Sequence, residues 1–266
     1  KSFPTIIYGG GQEMIRVIIN GSSGRMGQAV AETAGEFDDI EVAAGVDIGG
    51  AYGGENFPVY RTFSEVDKEA DVCVDFSHHE GLPTLLEELE KRKMPAVIAT
   101  TGFPDEVEKR IQEVSQVVPI FQAANMSMGV NLIKHLVAEA AKVLMHGFDI
   151  EIVEKHHNKK KDAPSGTALA LANAVNGARG NDLSYVFGRE EKNKLRESSE
   201  LGIHAVRGGT IVGDHDVIFA GKDEVVTLSH RAYSRRVFAA GAVGAARFLV
   251  GKEPGLYTMD QVISGG

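Results

Sequence analysis

The turn Gly21-Ser22-Ser23-Gly24-Arg25-Met26-Gly27 constrains the fold of this chain more than any other feature. The run Ile15–Asn20 before it is short, apolar and β-branched, which reads as a buried strand. After it, Met26, Val30 and Thr33/Ala34 recur at helical spacing. Glycines let a backbone turn tightly and approach a pyrophosphate with no Cβ in the way. The start of a helix offers N–H groups and the positive end of its dipole to phosphates. Glycines are common in turns, so the motif alone is a weak signal. Asp47 strengthens it. This residue follows the next strand, Ile40–Val46, where a carboxylate would accept hydrogen bonds from an adenosine ribose. A solvated strand end is the plainer alternative for Asp47. A carboxylate there suits the ribose diol of NAD and repels the 2′-phosphate of NADP, and Ile48 offers that phosphate no partner.

Strand and helix keep alternating. Val72–Phe76 reads as a third strand. Leu82, Leu85, Leu86 and Leu89 mark one face of a helix, with Pro83 tolerable in its first turn. Ala96–Ala99 is a strand, Val107, Ile111 and Val114 mark a helix, and Pro119–Gln122 is a strand. Such alternation implies a Rossmann-type parallel sheet covered by helices on both faces. The pattern changes near Ser127. Gly129–Met145 predicts a long helix, and Phe148, Ile150 and Ile152 alternate with Asp149 and Glu151 as in a half-exposed strand. A helix from Ser165 to Val175 follows, then three strands, Gly202–Val206, Thr210–Phe219 and Glu224–Arg231, joined by Gly-containing turns as in a meander. The expectation is an α+β domain whose mixed sheet carries two helices on one face. A last helix, Arg235–Val250, holds Gly241, Ala242, Gly244 and Ala245, and such small side chains allow close packing. We therefore expect a dinucleotide-binding domain from 14–127 and 235–266, and a second domain from 128–234. Lys1–Glu13 has no periodic pattern and reads as an expression-derived segment outside the fold.

Composition excludes several classes. The formal net charge is −9, which disfavours nucleic acid as a partner, although Lys159, Lys160 and Lys161 form a local basic cluster. The single cysteine, Cys73, excludes an intrachain disulfide and reads as a buried, inert thiol between Val72 and Val74. No apolar run approaches the roughly 18 residues of a membrane span, and no signal peptide is evident, so a cytoplasmic protein without a membrane partner is expected.

The densest polar segment is Glu154-Lys155-His156-His157-Asn158-Lys159-Lys160-Lys161-Asp162-Ala163-Pro164-Ser165-Gly166-Thr167. Paired histidines, lysines and a helix start suit an anion. Lysines supply point charges, and the amides of Gly166 and Thr167, with the Thr167 hydroxyl, would face a carboxylate. A histidine can deliver a proton near neutral pH. Metal binding fits poorly, because adjacent strand histidines diverge, no cysteine is near and the lysines oppose a cation. Either histidine could be the proton donor. Two lesser signals are His78-His79, which could touch a pyrophosphate or simply start a helix, and Arg235-Arg236, which reads as an exposed basic pair.

The segment Glu154–Thr167 resembles the E-x-H-H-x-x-K-x-D-A-P-S-G-T signature of the dihydrodipicolinate reductase family. Gly21–Gly27 resembles that family's G-x-x-G-R-M-G. Ala99-Thr100-Thr101-Gly102-Phe103 is similar to G-T-T-G-F, with Ala99 in place of Gly. Ala123-Ala124-Asn125-Met126-Ser127 is similar to A-A-N-F-S, with Met126 in place of Phe, and Val206–Gly209 and Gly213–His215 also match. The resemblance covers almost the whole chain from Met14. It implies NAD(P)H-dependent reduction of a cyclic imine dicarboxylate to tetrahydrodipicolinate in lysine and diaminopimelate biosynthesis, by a homotetramer assembled through the second domain. It implies His156 as the acid/base and Lys160 as a second proton donor or charge partner. It assigns His157, Gly166 and Thr167 to the substrate. It assigns Gly21, Ser22, Ser23, Gly24, Arg25, Met26, Asp47, Ala99, Thr100, Thr101, Ala123, Ala124, Asn125 and Met126 to the cofactor. From Asp47 and Ile48 themselves we expect NADH to be used at least as well as NADPH. No metal is implied. An amino-acid dehydrogenase with a similar cofactor domain would lack the His156–Thr167 segment. An NAD(H)-sensing regulator would need a partner-binding module that the sequence does not display.

Overall fold

The computed structural model describes residues 14–51, 56–190 and 193–264. The segment read as expression-derived lies outside them. The chain divides into two compact units, 14–128 with 236–264, and 129–235. Among the described residues, no helix is long and apolar enough to cross a membrane.

The first unit contains β1 (Ile15–Asn20), α1 (Arg25–Ala34), β2 (Ile40–Val46), β3 (Val59–Tyr60), β4 (Val72–Asp75), α2 (Leu82–Arg92), β5 (Ala96–Ile98), α3 (Asp105–Ser115) and β6 (Pro119–Gln122), and is completed by α6 (Arg236–Leu249), β12 (Gly255–Tyr257) and α7 (Met259–Ser264). Its sheet runs β12-β6-β5-β4-β1-β2-β3, with every pairing parallel. From β1 the chain proceeds outward to β2 and β3 on one side. It then returns beside β1 as β4 and proceeds to the other edge. The order therefore reverses between β1 and β4, which is the arrangement of a doubly wound dinucleotide-binding sheet. Strand residues alternate between two cores. Val17, Ile19, Val72, Val74, Val97 and Phe121 pack with α1 and α6. Ile18, Cys73, Ala96, Ile98 and Ile120 pack with Leu82, Leu85, Leu86 and Leu89 of α2 and Ile111 and Val114 of α3. Both faces are covered, so the strands read as continuous apolar runs instead of alternating ones. Cys73 is fully buried and its thiol is pushed up by that burial.

The second unit holds α4 (Met128–Val143), β7 (Asp149–His156), α5 (Gly166–Ala178), β8 (Ser184–Phe187), β9 (Glu200–Arg207), β10 (Gly213–Ala220) and β11 (Val225–Ala232). Its mixed sheet runs β11-β10-β7-β9-β8. Ile133, Val137 and Ala141 of α4 and Ala168, Leu171, Ala172 and Val175 of α5 cover one face, over Ile150, Ile152, Leu201, Ile203, Val217 and Phe219. The expected parallel and mixed sheets are both present. The meander is corrected. Only β10 and β11 form a hairpin, while β9 pairs parallel to β7, which separates it from β10. Apolar alternation tells which face of a strand is buried but not which strand lies beside it. The Gly208 amide donates to the carbonyl of His156, which keeps the end of β9 on β7, so β10 joins β7 from the other side. Strand β7 is also longer than the pattern Phe148–Ile152 suggested. It carries Glu154 and His156 on one face, two residues apart.

Helix α6 packs against α1 and β4–β6 within the first unit. A Cβ on Gly241 would stand 1.7 Å from the carbonyl oxygen of Met126, a backbone atom with no room to yield. Gly241→Ala should therefore destabilise the protein by about 1–3 kcal/mol through overpacking, although alanine is the better helix former. Urea unfolding checks this, and an unchanged or raised midpoint would show that α6 does not approach this closely.

Candidate active site

In the first unit, the predicted cofactor residues stand at the carboxyl ends of the strands. Gly21 leaves β1 with φ +79°, and the amides of Gly21 and Ser22 donate to Val46 O at 2.8 and 3.2 Å. A Cβ on Gly21 would meet Phe76 O at 2.7 Å, and one on Gly27 would meet Gly21 O at 2.2 Å. The turn is thus a bare-backbone cradle at the start of α1, with Gly24 as its N-cap and no side chain capping it. That fits a pyrophosphate. Arg25 is exposed and Met26 half-buried at the first turn of α1. The Ser22 side chain is buried toward Gly45, where a Cβ would clash with its hydroxyl at 2.4 Å, so it points to β2 and away from solvent. The Asp47 carboxylate accepts from the Ser23 amide at 3.1 Å and the Gly49 amide at 3.0 Å, which ties the end of β2 to the glycine turn. Ser23 Oγ donates to Gly50 O.

The ends of β5 and β6 contribute the other predicted residues. Ala99 follows β5, the Thr100 hydroxyl donates to Ser77 O at 3.0 Å, and Thr101 is exposed. The Ala123 amide donates to Ile98 O, Ala124 is exposed, and the Asn125 side chain accepts from the Ser127 amide. Met126 is placed differently. It is 2 % exposed and its side chain lies in the core with α6 residues, away from the strand edge. His78 is largely exposed and pairs with Glu80.

In the second unit the polar segment closes around one carboxylate. Glu154 is fully buried on β7. Its Oε2 lies 2.6 Å from His156 Nδ1, and its Oε1 accepts from the Ser165 amide at 2.9 Å. The Arg207 guanidinium, at the end of β9, donates to both oxygens at 2.7 Å and also to Asp162 O. Ser165 is the N-cap of α5. Its hydroxyl oxygen accepts from the Ala168 amide and is 3.0 Å from His215 Nε2. The rings of His156 and His215 meet edge to face at 5.2 Å. The Lys160 ammonium pairs with Asp162 at 2.8 Å, and the Lys160 amide donates to His157 O. Gly166 and Thr167 open α5, at the positive end of its dipole. Among the described residues, no group of three or more His, Cys, Asp or Glu could hold a metal ion.

Burial pushes the His156 imidazole below the usual histidine value, although the Glu154 carboxylate pulls it up. The charges of Lys160 and Arg207 push it further down. Burial also favours the protonated form of Glu154, but hydrogen bonds from Arg207, His156 and the Ser165 amide outweigh it and hold the carboxyl below its usual range. Burial, reinforced by His156, lowers His215 to about 4.

Sequence reasoning gave no role to Glu154, Ser165, Arg207 or His215. Glu154 was within reach, because alternation on β7 puts it on the face of His156. Arg207 and His215 lie in the matching stretches around Gly208 and Gly213, but only the strand register brings them to β7.

A parallel sheet with a reversal point and a glycine cradle, joined to an α+β unit with a carboxylate-held histidine at a helix start, defines a two-unit α/β oxidoreductase. The chain belongs to the dihydrodipicolinate reductase family, whose N-terminus model matches residues 15–126 and whose C-terminus model matches residues 129–263. It is 56% identical over 258 residues to the 4-hydroxy-tetrahydrodipicolinate reductase of Caldanaerobacter subterraneus subsp. tengcongensis, covering 95% of this chain and 100% of that one. It is 46% identical to the enzyme of the same name from Clostridium botulinum, covering 94% and 98%. Among solved structures, dipicolinate-bound dihydrodipicolinate reductase from Paenisporosarcina sp. TG-14 superposes with a TM-score of 0.77 at 26% identity, covering 92% of this chain and 97% of that one. The protein is a reductase of lysine and diaminopimelate biosynthesis, built on a dinucleotide-binding first domain.

The buried histidines make stability depend on pH. His215 has a folded value of about 4 against about 6.5 in the unfolded chain. Between these values the unfolded state binds more protons, so stability rises with pH across that window. Protonating His215 in the fold costs up to about 3 kcal/mol. Lowered His156 and His230 act in the same direction. We expect His215→Gln to flatten the rise in unfolding free energy between pH 4.5 and 7. Denaturant titrations at both pH values check this, and an equal rise in the variant would refute it.

Proposed function

We propose that the protein reduces the cyclic imine derived from 4-hydroxy-tetrahydrodipicolinate to tetrahydrodipicolinate, with NADH or NADPH as reductant and His156 as proton donor. The observation that carries this reading is the convergence of His156, Lys160 and the start of α5 in fourteen consecutive residues. A reduced nicotinamide, when bound, supplies the hydride. The turn Gly21, Ser22, Ser23, Gly24, Arg25 and Met26 cradles the pyrophosphate, its first four amides bonded within the protein to shape it and the Arg25 and Met26 amides at the start of α1 facing the phosphates, and Asp47 holds the adenosine ribose. Ala99–Thr101 and Ala123–Met126 line the nicotinamide half, with Met126 acting through its backbone.

Addition of hydride to the conjugated imine leaves an electron-rich enamine, which must be quenched by a proton. His156 delivers it from Nε2, because Nδ1 faces Glu154. Lys160 supplies positive charge and a second donor. His157 and the first residues of α5, Gly166 and Thr167, seat the carboxylates. The dipicolinate bound by the Paenisporosarcina relative is a planar dicarboxylate, which supports a seat of this kind. The second domain is further proposed to form a homotetramer through the sheet face opposite α4 and α5, and the enzyme to work in the cytoplasm.

His156→Gln should retain the fold and NADH affinity and lower kcat by roughly 10²–10⁴-fold. Lys160→Ala should cost a similar factor and also raise KM for the dicarboxylate, and His157→Ala should mainly raise KM. Because His156 is lowered in the resting protein, the alkaline limb of kcat/KM should fall below pH 6.5. The assay follows NADH oxidation with substrate generated by dihydrodipicolinate synthase. Loss of kcat in His157→Gln with His156→Gln unaffected would exchange the two roles. Loss in neither would remove the segment from the reaction.

Asp47 and the 89 % exposed Ile48 support NADH being used at least as well as NADPH. Asp47→Ala should weaken NADH more than NADPH. A preference of the unaltered enzyme for NADPH of tenfold in kcat/KM, about 1.4 kcal/mol, would contradict this and point to another phosphate partner such as Arg25 or Arg61.

A further inference from the structure

Both carboxylate oxygens of Glu154 are bonded to the segment proposed to react. Its Oε2 meets His156 Nδ1 and Arg207, its Oε1 meets the Ser165 amide and Arg207, and it is closed from solvent. Two of these partners bear on the chemistry. His156 is the proposed acid, and Ser165 caps the helix whose first residues are proposed to seat a carboxylate.

We propose that Glu154 is a positioning residue that fixes His156 in its Nδ1–H tautomer and aligns that ring with the start of α5. The inference rests on the reading of His156 as proton donor. A neutral imidazole has one N–H, and a carboxylate held ionised by Arg207 can only accept. The N–H therefore lies on Nδ1, and Nε2 is the nitrogen that is loaded and unloaded. Gly213 leaves that nitrogen approachable, since a Cβ there would stand 3.0 Å from it. The double hydrogen bond from Arg207 also keeps the proton from settling on Glu154. The same carboxylate anchors the Ser165 amide, so a displacement of the ring is coupled to a displacement of the helix start. The charged and titratable groups facing His156 are Glu154 on β7, Lys160 before α5, Arg207 on β9 and His215 on β10.

The test combines E154Q, H156Q and their double variant with ¹⁵N NMR of the unaltered protein. Glutamine preserves shape but removes the charge that favours imidazolium. E154Q should lower kcat by roughly 10²-fold or more, leave the NADH dissociation constant within twofold, and move the alkaline limb of kcat/KM to lower pH. Added to H156Q, it should change kcat less than twofold, because a residue acting through His156 has nothing left to position. Parental kcat with an unmoved limb in E154Q overturns the proposal. A loss that leaves the limb in place and adds fully to that of H156Q marks a structural carboxylate and also overturns it. Should E154Q not fold, the imidazole ¹⁵N shifts of the unaltered protein decide. The Nδ1–H tautomer of neutral His156 is expected, and the Nε2–H tautomer overturns the proposal. Normal kcat in H156Q would instead remove His156 as the donor, while the NMR result would stand by itself.

Discussion

Strand direction governs what meets in this protein. In a wholly parallel sheet every strand delivers its carboxyl end to one edge, so residues distant in sequence arrive together with no direct attraction between them. Gly21, Asp47, Ala99 and Ala123 follow β1, β2, β5 and β6 in this way. The reversal between β1 and β4 then sends the flanking connections to opposite sides and leaves room for a ligand at that edge. In the second unit, direction works by contrast. Strands β7 and β9 run together, so His156 and Arg207 end side by side, while β10 runs against them and brings His215 from its beginning. A single strand reversed in either sheet would scatter the site.

Buried charge is the main liability of the second unit. Removing a carboxylate from water costs several kcal/mol, and this is offset only by good geometry and full hydrogen bonding. Glu154 meets both conditions with two bonds from Arg207, one amide and one imidazole. Arg207 extends the arrangement to the backbone of Asp162 and so pins the segment between β7 and α5. The neighbouring imidazoles have no comparable set of partners. His215 is compensated at Nε2 by Ser165 alone, and its Nδ1 is buried without a partner, so burial dominates and the ring stays neutral.

Much of the fold was legible because long periodic segments announce themselves. The leucines of α2 and the β-branched run of β1 each fixed an element within a residue or two. The strands β3, β8 and β12 are only partly buried and lack the continuous apolar run that marked the similarly short β4, β5 and β6, and none was read. The meander failed for a different reason: β9, β10 and β11 were recognised as strands, but their neighbours are set by tertiary pairing. The same limit hid Arg207 and His215. The Glu154–Thr167 segment was legible because its chemistry is local, lying on one strand end, one turn and one helix start. Met126 shows the converse. The sequence placed it in a cofactor motif, yet an unbranched apolar side chain beside the small residues of α6 goes into the core.

Two cations that face His156 are already paired in the resting site. Arg207 is committed to Glu154, Lys160 to Asp162, and His156 is lowered by burial and by those same cations. A dicarboxylate bound here, as proposed, would change the balance. One carboxylate about 6 Å from an imidazolium, at an effective dielectric near 20, stabilises it by about 2.8 kcal/mol, roughly two pKa units. That attraction opposes the lowering by burial. By linkage, a ligand that raises the proton affinity of His156 binds more tightly when His156 is protonated. Substrate and proton would then arrive together, and the imidazole would carry its charge when there is an enamine to receive the proton.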